Sequence, residues 1–140
     1  PGIPAIAAIH AGWRSTVKKI IQKTARKMKD EFGTDPADLT AAIGPAIGPE
    51  CYEVDEPVIG PVREAFPFWR EVTASRGSGR WSLDLVKTNV IDLIHIGVRE
   101  DRIHSLGLCT SCRSDLFYSY RAEGRTGSML SAIMIQPVRS

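Results

Sequence analysis

The sequence predicts an α+β fold in which a mixed β-sheet carries flanking helices. Short apolar runs, typical of buried strands, occur at residues 5–9, 39–43, 103–108 and 128–135. Amphipathic segments with helical spacing lie between them. The two kinds of segment alternate without the regular strand-helix-strand period of a doubly wound sheet, and a mixed sheet is therefore favoured.

The clearest helical pattern follows the first predicted strand. Ser15 or Thr16 is expected to cap its N-terminus, because a hydroxyl oxygen accepts a hydrogen bond from an unpaired backbone N–H. Gly33 is expected to end the helix in the left-handed conformation. The residues expected to face the core are Val17, Ile20, Ile21, Thr24, Met28 and Phe32.

The next segment is predicted to be largely irregular. A buried strand over 39–43 runs into two Gly-Pro pairs at 44–49, which exclude regular structure. Residues 51–54 are expected to form a short strand. A helix over 56–66 is expected to break at its own Gly-Pro pair, and the Ser- and Gly-rich stretch 75–79 predicts an exposed flexible loop.

A second well-defined helix is predicted from Asp84 to Ile96, with Gly97 as its stop signal. Its apolar residues Val86, Val90, Leu93 and Ile94 are expected to face the core. A strand over 103–108 then ends at Cys109, and another over 128–135 precedes a tail that begins at Gln136.

Composition limits the possible functions. The chain has 140 residues, 43% of them hydrophobic and 24% charged, as expected of a single domain with one core. A net charge of +2 is too small to predict a nucleic-acid partner, and no apolar run approaches the roughly 20 residues of a membrane span. Three cysteines and no secretory signal pattern predict a cytoplasmic protein. Because Pro1 is followed almost at once by an apolar strand, we expect residues 1–140 to be the C-terminal portion of a longer protein.

Two residues at the first strand-to-helix junction are candidates for chemistry. His10 lies where α/β folds place ligand-binding groups, at the carboxyl end of a strand. Taken alone, it fits either a metal or catalytic role or a structural one. Arg14 lies beside the helix start and is a candidate clamp for phosphate or carboxylate, although a surface salt bridge explains it equally well.

The cysteines allow several interpretations. Cys109 and Cys112 form a C-x-x-C pair, which suits half of a zinc site, a redox pair or small-residue packing at a strand end. Packing is favoured because the sequence offers no second pair of ligands at similar spacing. Cys51 lies among four acidic residues between positions 50 and 56, a setting that raises the pKa of a thiol, and is expected to be a wall residue.

An aromatic segment near the C-terminus is a candidate binding surface. Tyr120 and its neighbours in residues 117–121 are able to stack on a planar base, and Arg121 to hold a phosphate. The alternative is a strand with one aromatic face, followed by a glycine turn at 124–127.

Three motifs together resemble a known family. They are His10-Ala11-Gly12-Trp13-Arg14, then residues 43–49 followed by Cys51-Tyr52-Glu53-Val54, and then Cys109-Thr110 with residues 117–127. In this order they closely resemble the YfiH-like family, long labelled multicopper polyphenol oxidoreductases or laccase-domain proteins and now regarded as zinc-dependent purine nucleoside phosphorylases. The resemblance spans nearly all of the chain but only the C-terminal half or so of a family member.

The resemblance implies a function and a site. Family members hold a catalytic zinc with two His and one Cys, of which the last His matches His10, while the other two ligands lie upstream of this chain. The implied reaction is phosphorolysis of adenosine, inosine, guanosine or methylthioadenosine, with adenosine deamination in some members. His10, Arg14 and Arg121 are the expected catalytic residues, and Arg14, Tyr120 and Arg121 the expected contacts to nucleoside and phosphate. Copper is disfavoured, because multicopper centres need far more than the three His of this chain.

Two alternatives remain open at this point. One is a cysteine-dependent hydrolase that pairs Cys109 with His10, since each follows a predicted strand. The other is a catalytically inert fragment. We further expect a monomer whose partners are purine nucleosides and phosphate, without nucleic acid or membrane.

Overall fold

The computed structural model describes residues 4–136. Its helices are α1 (Trp13–Val17), α2 (Ile20–Phe32), α3 (Glu56–Ala65), α4 (Leu85–His95) and α5 (Tyr120–Glu123). Its strands are β1 (Ala41–Ile43), β2 (Glu53–Val54), β3 (Thr73–Gly77), β4 (Arg80–Leu83) and β5 (Ile103–Ser105). Single 3₁₀ turns cover Pro36–Asp38, Trp69–Glu71 and Glu100–Arg102.

The strands form two small sheets. β1 and β5 pair in parallel, with Ala41 opposite Ile103, whereas β2, β4 and β3 form an antiparallel sheet with β4 in the centre. Parallel and antiparallel pairing thus occur together with helices, and the predicted α+β class is confirmed. The helices of the described chain are all too short or too polar to cross a bilayer.

The hydrophobic core lies between α3 and the antiparallel sheet. Ile59, Phe66 and Leu83 are completely buried, and Val62 is 2% exposed. Trp13 and Val17 of α1 pack against the same cluster. This packing attaches the segment that carries the first motif to the hydrophobic core.

The first helix differs from the prediction because it is divided in two. α1 begins at Trp13, before the predicted caps, and Lys19 in the left-handed conformation (φ 61°) separates it from α2. This turn brings the Lys19 Nζ to 3.8 Å from the Asp92 carboxylate and 3.5 Å from the centre of the Phe66 ring. The gain from these contacts explains why a non-glycine residue adopts this backbone conformation. Gly33 ends α2 with φ 69°, as predicted.

The core-facing side of α2 is narrower than the sequence indicates. Ile21 and Ala25 are buried, but Phe32 is 38% exposed. The prediction that Phe32 faces the core is therefore wrong, because every residue in the last turn of α2, 29–32, is exposed.

The buried side of α4 is polar, which corrects the prediction that its apolar residues face the core. The helix begins next to the predicted start, with Asp84 as its cap, and it ends before the predicted stop at Gly97. Thr88, Asn89 and Asp92 are nevertheless its buried residues, together with Leu85. They are stable there because α1 and α2 supply hydrogen bonds: Thr16 donates to Asn89 at 3.2 Å, and Gln22 donates to Asp92 at 2.9 Å.

Two predicted interruptions in the middle of the chain are absent. α3 runs through Pro61 without a break, because burial of Ile59 and Val62 outweighs the lost hydrogen bond. The stretch predicted as a flexible loop forms a hairpin between β3 and β4. Ser78 (φ 50°) and Gly79 (φ 72°) make its turn, and a turn with two positive φ angles matches the twist of paired strands.

The predicted strands over 5–9 and 128–135 are wrong for the described chain. Neither segment pairs with a strand within residues 4–136, and their large apolar residues are exposed, at 42% for Ile6 and 92% for Leu130. Apolar sequence alone does not make a strand when no partner supplies backbone hydrogen bonds. The strand over 103–108 is confirmed only over 103–105. Most of the predicted tail lies outside the described residues.

Candidate functional site

A cavity of about 440 Å³ lies at the start of α1 and is lined by His10, Gly12, Trp13, Arg14 and Ser15. The structure thus brings His10 and Arg14 together. The Ser15 hydroxyl donates to the carbonyl oxygen of His10 at 2.7 Å, which holds the turn closed. A Cβ on Gly12 would lie 3.1 Å from the His10 Nε2 atom. The glycine therefore lets the imidazole fold close to the helix start.

Arg14 is exposed on this cavity and stacks on its neighbour. Its guanidinium carbon lies 4.5 Å from the centre of the Trp13 ring. Because Trp13 packs against the core, the stacking limits the directions that the guanidinium adopts. A positioned guanidinium suits recognition of a dianion better than a freely moving one.

Arg121 approaches from the far end of the chain and contacts Tyr52. It donates to the carbonyl oxygen of Glu53 at 2.7 Å, and its guanidinium carbon lies 5.2 Å from the centre of the Tyr52 ring. Burial raises the pKa of Tyr52, while the positive charges of Arg121 and Arg14 act in the opposite direction. The charges of two arginines predicted from distant motifs thus both lower the pKa of the same tyrosine.

Tyr52 is the residue of this region that the sequence reasoning missed. It is only 9% exposed, whereas the sequence predicts only that it belongs to a short strand. The available signal was its place in the second motif, immediately after the Gly-Pro pairs. Which arginines would surround it depends on tertiary packing and is not readable from the sequence.

Tyr120 lies apart from these contacts. It begins α5 and is 79% exposed, while the capping residue Ser119 is buried and accepts from the Ala122 N–H. Residues 117–119 are irregular and residues 120–121 begin a helix, so the aromatic strand considered as an alternative is absent. Tyr120 remains a predicted nucleoside contact.

The three cysteines form a cluster elsewhere in the structure. The sulfurs of Cys51, Cys109 and Cys112 lie within 4.8 Å of one another, and those of Cys51 and Cys112 are 3.3 Å apart. Cys51, predicted to be a wall residue, lines a cavity, and it also places a third sulfur beside the C-x-x-C pair. The third sulfur comes from a motif about sixty residues upstream, which the spacing within the C-x-x-C does not indicate.

Two facing turns build this cluster. The parallel pairing of β1 and β5 continues to a bridge between Ala46 and Cys109. Beyond it, the Gly48 N–H donates to the Cys109 sulfur at 3.2 Å. One turn returns Cys51 to Gly48 through a 3.0 Å bond, and the other closes from Arg113 to Cys109 at the same distance, carrying Cys112 back.

The thiols of the cluster differ in acidity. Burial raises the pKa of Cys109, but backbone N–H groups of Gly48, Cys112 and Ser111 outweigh it and lower the value to about 7. Hydrogen bonds to Cys51 and Cys109, and their charges, raise the pKa of Cys112 to about 11. The Cys109 thiol is thus partly ionised to the thiolate at neutral pH.

The cysteines line a different cavity from His10. Its volume is about 550 Å³, and Gly48, Glu50, Val86 and Val90 contribute to its walls. The two cavities share no lining residue. His10 and Cys109 thus line separate cavities, whereas the hydrolase alternative requires the imidazole to lie beside the thiol.

The two cavities differ in the number of metal-ligating side chains that they contain. Among residues 4–136, the three cysteines are the only group of three or more His, Cys, Asp or Glu whose ligand atoms lie close enough to share one ion. His10 is exposed, and no such group includes it. The His10 cavity thus fits a zinc ion only in part, with a single ligand from this chain.

Comparison with known proteins gives consistent results. The family model described as multi-copper polyphenol oxidoreductase laccase matches residues 2–136. The chain is 37% identical over 130 residues to the purine nucleoside phosphorylase YlmD of Bacillus subtilis, covering 91% of this chain and 46% of that protein. It is 38% identical over 133 residues to a purine nucleoside phosphorylase of Bacteroides thetaiotaomicron, covering 94% of this chain and 49% of that protein.

Solved structures agree with this relationship. The crystal structure of the Bacillus licheniformis hypothetical protein YfiH matches with a TM-score of 0.78 and 38% identity, over 84% of this chain and 45% of that one. YlmD from Geobacillus stearothermophilus matches with a TM-score of 0.75 and 36% identity, over 81% and 42%. The chain spans about half the length of these relatives. The chain belongs to the multi-copper polyphenol oxidoreductase (laccase) family, whose members include the YfiH and YlmD proteins.

Proposed function

We propose that the intact protein is a zinc-dependent purine nucleoside phosphorylase. Its proposed substrates are phosphate and adenosine, inosine, guanosine or methylthioadenosine, with adenosine deamination as an additional activity. The observation that carries the proposal is that His10 and Arg14 line one cavity, while Arg121 contacts Tyr52, a tyrosine whose pKa the charges of both arginines lower. The names of the relatives support the same reaction.

The two arginines suit the phosphate co-substrate. In phosphorolysis a phosphate oxygen bonds to the anomeric carbon of the ribose, the bond from that carbon to the base breaks, and the base leaves with a proton. A phosphate dianion requires positive charge and planar N–H donors, which Arg14 and Arg121 supply. The bond from Arg121 to the Glu53 carbonyl uses one terminal nitrogen, so other N–H groups remain for phosphate.

His10 would provide one ligand of the zinc ion, and the remaining ligands would come from outside residues 4–136. Bound zinc with an open position acts as a Lewis acid and makes a water molecule more acidic, which deamination requires. In this chain, Gly12 and Ser15 position His10 for that role.

The test is to incubate the intact protein with inosine, with and without phosphate. We expect hypoxanthine and ribose 1-phosphate in equal amounts, and only when phosphate is present. Release of base without phosphate would identify a hydrolase instead. A cysteine-dependent hydrolase would keep its activity after the metal is removed and would lose that activity in the Cys109→Ala variant. Unchanged inosine with residues 1–140 alone, where the intact protein converts it, would support the inert-fragment alternative.

Replacing Arg121 with alanine should raise the KM for phosphate by roughly 10- to 100-fold, because a hydrogen bond to a charged group contributes about 1.5–3 kcal/mol. Arg121→Lys should recover only part of the loss, since an ammonium lacks the planar pair of donors. The matched control is Arg63→Ala, an exposed arginine on α3 that pairs with Glu56. A KM for phosphate that changes equally in both alanine variants would contradict the assignment.

A further inference from the structure

The three cysteines at the facing turns lie outside the proposed phosphorylase site. They line their own cavity, and no residue of the His10 cavity contributes to it. We propose that Cys51, Cys109 and Cys112 form a second metal site, which binds Zn²⁺ through three thiolates and leaves a fourth position open towards the cavity.

The distances fit a tetrahedral ion. A zinc–sulfur bond of about 2.3 Å places the sulfurs of a tetrahedral site about 3.8 Å apart. The sulfurs here are 3.3 Å apart for Cys51 and Cys112 and within 4.8 Å for all pairs. Shifts of roughly 1 Å or less, within the reach of side-chain rotation, convert the cluster into a ligand set.

The backbone around the cluster provides an N–H donor to a sulfur, as in known thiolate metal sites. The Gly48 N–H points at the Cys109 sulfur, and such donors stabilise the charge of a metal-bound thiolate. A Cβ on Gly48 would lie 3.3 Å from the Cys109 Cβ and 3.4 Å from its sulfur. The glycine thus lets the two turns approach closely.

The donor set selects the class of metal. Three thiolates favour soft or borderline ions over calcium and magnesium, and the tetrahedral spacing favours zinc. Glu50 is the acidic residue nearest in sequence to Cys51, but its carboxylate pairs with Arg76 at 2.8 Å. We therefore assign the fourth position to water or to a small donor from the cavity.

Cobalt substitution in the intact protein tests the site. The titration uses the His10→Ala variant, so that cobalt at the His10 site does not contribute. With reductant present, we expect thiolate-to-Co²⁺ charge-transfer bands in the near ultraviolet and the visible bands of tetrahedral Co²⁺. Zinc added afterwards should abolish both.

Adding Cys51→Ser, Cys109→Ser or Cys112→Ser to this background should each weaken binding by at least about 10-fold, since each removes a ligand. Ser111→Ala, from the same turn, should leave the spectrum unchanged. Cys112 is exposed, so its serine variant should fold normally, and circular dichroism checks this. Two results would overturn the proposal: no charge-transfer bands in the reduced protein, or equal bands in the Cys112→Ser and Ser111→Ala variants.

Discussion

Replacing His10 with alanine should remove the proposed catalytic zinc and reduce phosphorolysis by about 1000-fold or more. A Lewis acid supplies several kcal/mol to a reaction of this kind, and each 1.36 kcal/mol is tenfold in rate. His10 is exposed and lines the cavity that Arg14 also lines. Its loss should therefore affect the metal and leave the core intact. Metal content by mass spectrometry and the rate with inosine and phosphate are the measurements.

His104→Ala is the matched control, because His104 is an exposed histidine on β5. It should keep both metal and rate. The cysteine site should retain its zinc in the His10 variant, so the metal content should decrease without vanishing. Unchanged zinc and unchanged phosphorolysis in His10→Ala would contradict the assignment of His10, whatever the cysteines bind.

Replacing Phe66 with alanine should lower the free energy of unfolding by about 3–5 kcal/mol, the usual cost of a large cavity in a core. Phe66 is completely buried, and its ring lies 5.1 Å from that of Phe68. It also carries the Lys19 ammonium on its face at 3.5 Å, so the variant loosens the turn between α1 and α2 as well. Urea denaturation followed by circular dichroism measures the change.

The same substitution at Phe32 provides the comparison. Phe32 is 38% exposed at the end of α2, and we expect Phe32→Ala to cost less than about 1 kcal/mol, because alanine also has the higher helix propensity. An equal decrease in the free energy of unfolding in the two variants would contradict the placement of Phe66 in the core and of Phe32 at the surface.

Local signals explain which elements the sequence predicted correctly. α4 has a capping aspartate at its start and a glycine after its end, and both act within a few residues. Gly33 ends α2 for the same reason. The prediction was wrong where the outcome depended on partners. The apolar segments 5–9 and 128–135 have no strand beside them in the described chain, and the buried face of α4 is polar because Thr16 and Gln22 bind it.

The candidate sites show the same difference between local sequence signals and tertiary contacts. The sequence by itself determined the fold class, the family and the place of His10 and Arg14 in one motif, because these depend on residues close together in the chain. Only the tertiary structure decided that Arg121 contacts Tyr52, whose pKa the charge of Arg14 also lowers, and that Cys51 joins Cys109 and Cys112. Those contacts depend on the packing of α1 against the core and on the parallel bridge between Ala46 and Cys109. Spacing along the chain does not encode which distant segments pair, because their contacts are set by burial and backbone hydrogen bonding across the whole fold.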